Sequence, residues 1–124
     1  MHASKEAATR KRILICGGRD LTNRAAFGHA MSIFIQCHGK PRMVIHGAAR
    51  GADTIAGEWA KAEGIQVVTV PANWEGDGMS AGPKRNQLML DLLEPDIVVA
   101  FPGGFGTADM VRRAKGAGVF TYEV

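Results

Sequence analysis

Apolar residues recur along this chain in two alternating modes: short unbroken runs, and stretches where they return every third or fourth position. Unbroken runs read as strands buried on both faces, and the three-to-four spacing as one stripe of an amphipathic helix. Arg12-Ile13-Leu14-Ile15-Cys16 is the first run and ends at Gly17-Gly18. From Asn23 to Cys37, the residues Phe27, Ala30, Met31, Phe34 and Cys37 form a helical stripe, terminated by Lys40-Pro41. Met43 to His46 is the second run, closed by Gly47. A second helix follows Gly51, with Ala52, Ile55, Ala56, Trp59 and Ala60 on one face and Gly64 as its stop. Ile65 to Val70 is a third strand, and residues 72–81 read as a Gly-rich loop. Pro83 suits the first position of a third helix, whose apolar face is Leu88, Met89, Leu92 and Leu93. A strand over Ile97 to Phe101, a helix over Thr107 to Gly116 and a strand over Val119 to Tyr122 complete the pattern.

Strands that alternate with helices in this way predict a parallel sheet covered on both faces. Right-handed crossovers and the commonest doubly wound template give a Rossmann-like, three-layer α/β/α fold with a five-stranded parallel sheet in the order 3-2-1-4-5. That order makes the turns after strands 1, 2 and 4 neighbours. All three are rich in glycine: Gly17-Gly18-Arg19-Asp20, Gly47-Ala48-Ala49-Arg50-Gly51-Ala52-Asp53, and Pro102-Gly103-Gly104-Phe105-Gly106-Thr107. Glycines let the backbone approach a ligand, and each following helix presents about half a positive charge at its N-terminus. A phosphate is the ligand such a surface fits.

The candidate binding residues are therefore Gly17, Gly18, Arg19, Gly47, Arg50, Gly51, Asp53, Arg85, Asn86, Gly103, Gly104, Gly106 and Thr107. Thr107, placed at a helix start, serves as a cap or a phosphate ligand. Arg85 and Asn86 fall in the first turn of the third helix, where Arg85 suits bidentate contact with an anion. Asp53 sits where a helix dipole favours a carboxylate, and ribose binding is its alternative role. Trp74 reads as a lid or a stacking surface for a base, Trp59 as core, and His46 as a buried, hydrogen-bonded histidine. The histidines at 2, 29, 38 and 46 lack metal-ligand spacing, so no metal and no resident cofactor is expected. G-x-x-x-x-G-K-[ST] is absent, as is G-x-G-x-x-G after the first strand, which argues against ordinary NAD binding.

Composition narrows this picture. The 124 residues suffice for one domain with its own core, and no run approaches the roughly 20 apolar residues of a membrane span. The isoelectric point near 9.1 invites a nucleic-acid reading. However, Lys5, Arg10, Lys11 and Arg12 against Glu6 account for the whole net charge of +3, so the basicity belongs to the N-terminus. Residues 1–11 read as a flexible basic leader and 12–124 as a single domain without global positive bias, which disfavours nucleic acid as a partner. Cys16 and Cys37 have no bridging pattern, and the leader has no apolar run, so a cytoplasmic location is expected.

The series G-G-R-D, H-G-A-A-R-G-A-D, A-G-P-K-R-N-Q-x-M and F-P-G-G-F-G-T-A-D-M resembles the SLOG superfamily. More narrowly, it resembles its YspA/YpsA-related branch over residues 12–124. Related groups are the LOG phosphoribohydrolases, once mislabelled lysine decarboxylases, and the DprA proteins that bind single-stranded DNA. The resemblance implies a nucleotide-like small-molecule ligand and a homo-oligomer. It also implies a departure, because the catalytic Glu of the LOG motif P-G-G-x-G-T-x-x-E falls at Met110. A thioether cannot do a carboxylate's work in glycosidic cleavage. Asp109 is one residue earlier, rotated by about 100° on a helix. The expectations are thus a nucleotide-binding protein or sensor, or alternatively an N-glycosidic hydrolase in which Asp109 and Arg85 are catalytic. Binding of single-stranded DNA is a third class.

Overall fold

A computed structural model describes residues 10–124, so the expected leader over 1–11 lies almost wholly outside the described residues. The elements are β1 (Arg12–Cys16), α1 (Arg24–His38), β2 (Met43–His46), α2 (Ala52–Ala62), β3 (Gln66–Thr69), α3 (Trp74–Asp77), α4 (Ala81–Leu93), β4 (Ile97–Ala100), α5 (Phe105–Gly116) and β5 (Phe120–Glu123). A single 3-10 turn over Gly78–Ser80 joins α3 to α4. All strand pairs are parallel, and the order is β3-β2-β1-β4-β5, as the alternation of runs and stripes predicts.

The sheet is buried because its central strands are apolar on both faces. Leu14, paired with Ile45 and Val98, points to one side; Ile13 and Ile15 point to the other. One core layer packs Phe27, Met31 and Phe34 of α1, with Ile55 and Ala56 of α2, on Ile13, Ile15 and Val99. The opposite layer packs Met89 and Leu90 of α4, with Met110 and Ala114 of α5, on Leu14, Ile45 and Val98. Each of the larger side chains contributes about 1.5–3 kcal/mol on burial, which is what holds the helices to the strands. Phe27 also stacks on Phe101, with ring centroids 4.6 Å apart.

Local readings are corrected in several places. The loop read over 72–81 contains α3, which Asn73 caps by accepting from the Gly76 amide at 3.1 Å. Helix α4 begins two residues ahead of Pro83, and Pro83 is tolerated because first-turn amides have no helical acceptor. Its buried face is Asn86, Met89 and Leu90, whereas Leu88 and Leu92 are exposed. The three-to-four spacing permits either stripe, and only the sheet decides which one packs. Trp59 is partly buried, edge-on to Phe27, and Cys37 is exposed at the end of α1. Helix α5 starts at Phe105, which makes Thr107 its third residue rather than its first.

Candidate functional site

The loops after β1, β2 and β4 are stitched together through Gly18. Its amide donates to the Pro102 carbonyl at 2.9 Å, and its carbonyl accepts from the Ala52 amide at 3.1 Å. The contacts require glycine. A Cβ on Gly17 would meet Ala52 Cβ at 2.7 Å, and one on Gly51, which also has φ +73°, would strike Arg19 at 2.6 Å. Several of the glycines thus serve loop-to-loop packing. Gly104 and Gly106 do not, because a Cβ on either would meet no atom within 4 Å.

The junction lies at the carboxyl ends of β1 and β4, where the strand order reverses, the position at which open α/β sheets bind ligands. A cleft of about 790 Å³ opens there. The N-terminus of α5 forms one wall, from Gly103 to Thr107, and no side chain caps that helix. Its first-turn amides and the positive end of its dipole are therefore presented toward the cleft.

Opposite stands Arg85 of α4. Its guanidinium packs flat against Gly47, where a Cβ would meet Nε at 2.9 Å, and donates to the Gly47 carbonyl. Nε donates to Asn86 Oδ1 at 3.0 Å. Half-burial pulls the Arg85 pKa down from its ordinary value, with the Asp53 charge opposing, yet an arginine stays protonated under all working conditions. Arg19 lies over the Trp74 ring, 5.6 Å from its centroid. Trp74, Met79 and Phe105 line the cleft with largely exposed apolar surface.

Asp53 and His46 shape the second loop. Asp53 Oδ2 accepts from the Gly47 and Ala49 amides at 3.0 and 3.2 Å, and burial raises its pKa against those bonds and the neighbouring cations. His46 Nδ1 accepts from the Ala48 amide at 3.0 Å, while Nε2 lies 3.2 Å from the Thr69 hydroxyl. The imidazole occupies space left by Gly57, and burial lowers its pKa. It is a buried structural histidine and lines no part of the cleft. Cys16, at the cleft floor, is a thiol whose pKa burial pushes up to about 12.

The carboxylate of Asp109 is turned away. It is 2% exposed, accepts from Asn86 Nδ2 at 3.0 Å and Arg113 Nε at 2.9 Å, pairs with Arg112, and does not line the cleft. Burial raises its pKa, but Asn86, Arg113 and Arg112 more than offset this, leaving it below the ordinary carboxylate value. Met110 lies in the core layer between α5 and the sheet. The rotation between positions 109 and 110 therefore carries one to the polar α4–α5 seam and the other into the apolar core.

Residues 11–76 match the YspA, cpYpsA-related SLOG family. The Gene 61 protein of Mycobacterium phage D29 is 36% identical over 116 residues, which cover 88% of this chain and 92% of the phage protein. The chain belongs to the YspA, cpYpsA-related SLOG family.

The SLOG match takes in the first two Gly-rich loops and Trp74, and the third loop and Arg85 lie beyond it. Of the residues that the sequence singles out in this SLOG chain, Gly17, Gly18, Arg19, Gly47, Asp53, Arg85, Asn86, Gly103, Gly104, Gly106 and Thr107 line one cleft. Arg50 and Gly51 stand outside it, Arg50 on an adjoining cavity and Gly51 beneath the junction of loops. Sequence reasoning missed Met79, Phe105 and Cys16. A large apolar residue between glycines, as in Gly104-Phe105-Gly106, was the available signal for one of them. Among the described residues no helix is long and apolar enough to cross a membrane.

Proposed function

We propose that the cleft binds a nucleotide or nucleotide derivative through its phosphate, without cleaving it. The observation that carries this reading is the uncapped N-terminus of α5, opening beside Gly104 and Gly106 at the switch point of the sheet and facing Arg85. Amides at a helix start satisfy phosphate oxygens that water would otherwise hold, and a guanidinium supplies a forked second contact. Within the three Gly-rich loops, the two glycines that packing leaves unexplained are those where a ligand gains from close approach. The volume is that of a small-molecule site, and the exposed apolar surface of Trp74, Met79 and Phe105 suits the face of a base. Membership of a SLOG family supports the same ligand class.

Binding is favoured over hydrolysis by the carboxylates. Asp109 is consumed by three donors in the α4–α5 seam, Met110 has no acid–base chemistry, and Asp53 is occupied by two backbone amides. Thermal melts across a panel of nucleosides and nucleotides, with chromatography of the same mixtures, test the reading. Nucleoside monophosphates should raise the melting temperature and be recovered intact. An unchanged melt across the panel overturns the binding, and release of free base overturns the absence of cleavage.

A further inference from the structure

A second cavity of about 290 Å³ adjoins the cleft, and Trp74, Arg19 and Arg85 are common walls of both. Arg50 lines only the smaller one. Three arginines thus line it, whereas its lining contains no carboxylate. Asp53, whose charge acts on Arg85, borders the main cleft instead. Among the described residues none of the three arginines has a carboxylate partner within 4.0 Å, although five such pairs form elsewhere. Arg85 uses Nη1 on the Gly47 carbonyl and Nε on Asn86, which leaves its other terminal nitrogen without a protein acceptor in those bonds.

Part of the backbone around this cavity is unavailable to an anion. The Gly47, Ala48 and Ala49 amides are spent on Asp53 and His46. Arginines dominate what an anion there would meet, and their gathered like charges favour its arrival. Resting on the reading of the main cleft as a phosphate site, we infer that the side cavity is a second anion subsite, and that the ligand is a nucleoside diphosphate or a derivative with two linked phosphates. One phosphate lies at the start of α5, the other passes Arg85 into the cavity, and Arg19 and Arg50 close on it.

The experiment compares AMP and ADP by isothermal titration calorimetry on the full chain and on Arg50→Ala. Arg50 is exposed and lies outside the core, so the variant folds. Wild type should bind ADP about tenfold or more tightly than AMP, the worth of one or two charge-assisted bonds. In Arg50→Ala that ratio should fall toward one. Equal affinities in wild type, or an undiminished preference in Arg50→Ala, overturn this inference while leaving the cleft a phosphate site. Failure of both AMP and ADP to bind overturns the reading of the cleft, and the inference with it.

Discussion

The side-chain amide of Asn86 donates to the buried carboxylate of Asp109 across 3.0 Å and so joins α4 to α5. Arg113 reaches the same carboxylate at 2.9 Å and Gln87 Oε1 at 2.9 Å, which extends the seam along both helices. These two helices carry Arg85 and the open amides of the cleft, so the seam ties together the elements that form its walls. Asp109 is a fastener for the site. Its carboxylate does not line the cleft.

Asp109→Asn should accordingly lower stability by about 1–3 kcal/mol, because it removes a charged acceptor from partly buried donors. Nucleotide affinity should change far less than stability does. Urea unfolding together with calorimetric titration checks both. The folded carboxyl titrates below its ordinary value, so its contribution is complete above pH 3.8 and is lost as pH falls through the folded pKa.

His46 gives a second, opposite-charged case in a different pH window. Burial lowers its folded pKa below the ordinary 6.5, so below that pH the unfolded chain takes up a proton that the native imidazole refuses. Stability is therefore complete above pH 6.5 and declines as pH falls beneath it, by up to about 1.4 kcal/mol per unit. The urea midpoint of wild type should drop between pH 7.5 and 5.5. In His46→Asn, which keeps an acceptor for the Ala48 amide, that dependence should flatten; an equal slope in the variant assigns it to other groups.

The glycines of the third loop separate by their surroundings. A Cβ on Gly103 would press on Thr107 and come within 2.6 Å of the Gly18 amide, so Gly103→Ala should cost about 1–3 kcal/mol of stability. Gly106 has open space and lies in the first turn of a helix, where alanine is the better helix former. Gly106→Ala should keep its melting temperature within roughly 3 °C of wild type or above it, yet weaken nucleotide binding. Parallel melts and titrations of the two variants read this contrast directly.

Arg85→Lys tests the forked contact. Lysine keeps the charge but presents a point donor, so affinity for a nucleoside monophosphate should fall by about tenfold or more. Calorimetry is the measurement, and affinity unchanged by the substitution removes Arg85 from the ligand's contacts.

Much of this architecture is legible in the sequence because the strands are unbroken apolar runs and the turns between them are marked by glycine. Ile13 to Ile15 and Ile97 to Val99 read as buried strands, and their central place came from the doubly wound template, whose order the sheet has. Helix faces were less legible. Leu88 and Leu92 share the spacing of Met89 and Leu93, and nothing local distinguishes the stripe that meets the sheet. Asp109 divides in the same way: Arg112 and Arg113 stand three and four residues on along its own helix, whereas Asn86 lies on another helix and meets it only when the two pack. Gly51 and Arg50 sit in a motif with cleft-lining residues, yet one supports the junction and the other lines the side cavity, a division that depends on three dimensions.

The central claim is that phosphate recognition at the start of α5 governs ligand binding. Calorimetric titration of the protein with AMP and with adenosine at low ionic strength tests it most directly. AMP should bind saturably and adenosine at least tenfold more weakly, since the nucleoside lacks the group assigned to the α5 amides and Arg85. Equal affinity for the two, or no heat with either, contradicts it.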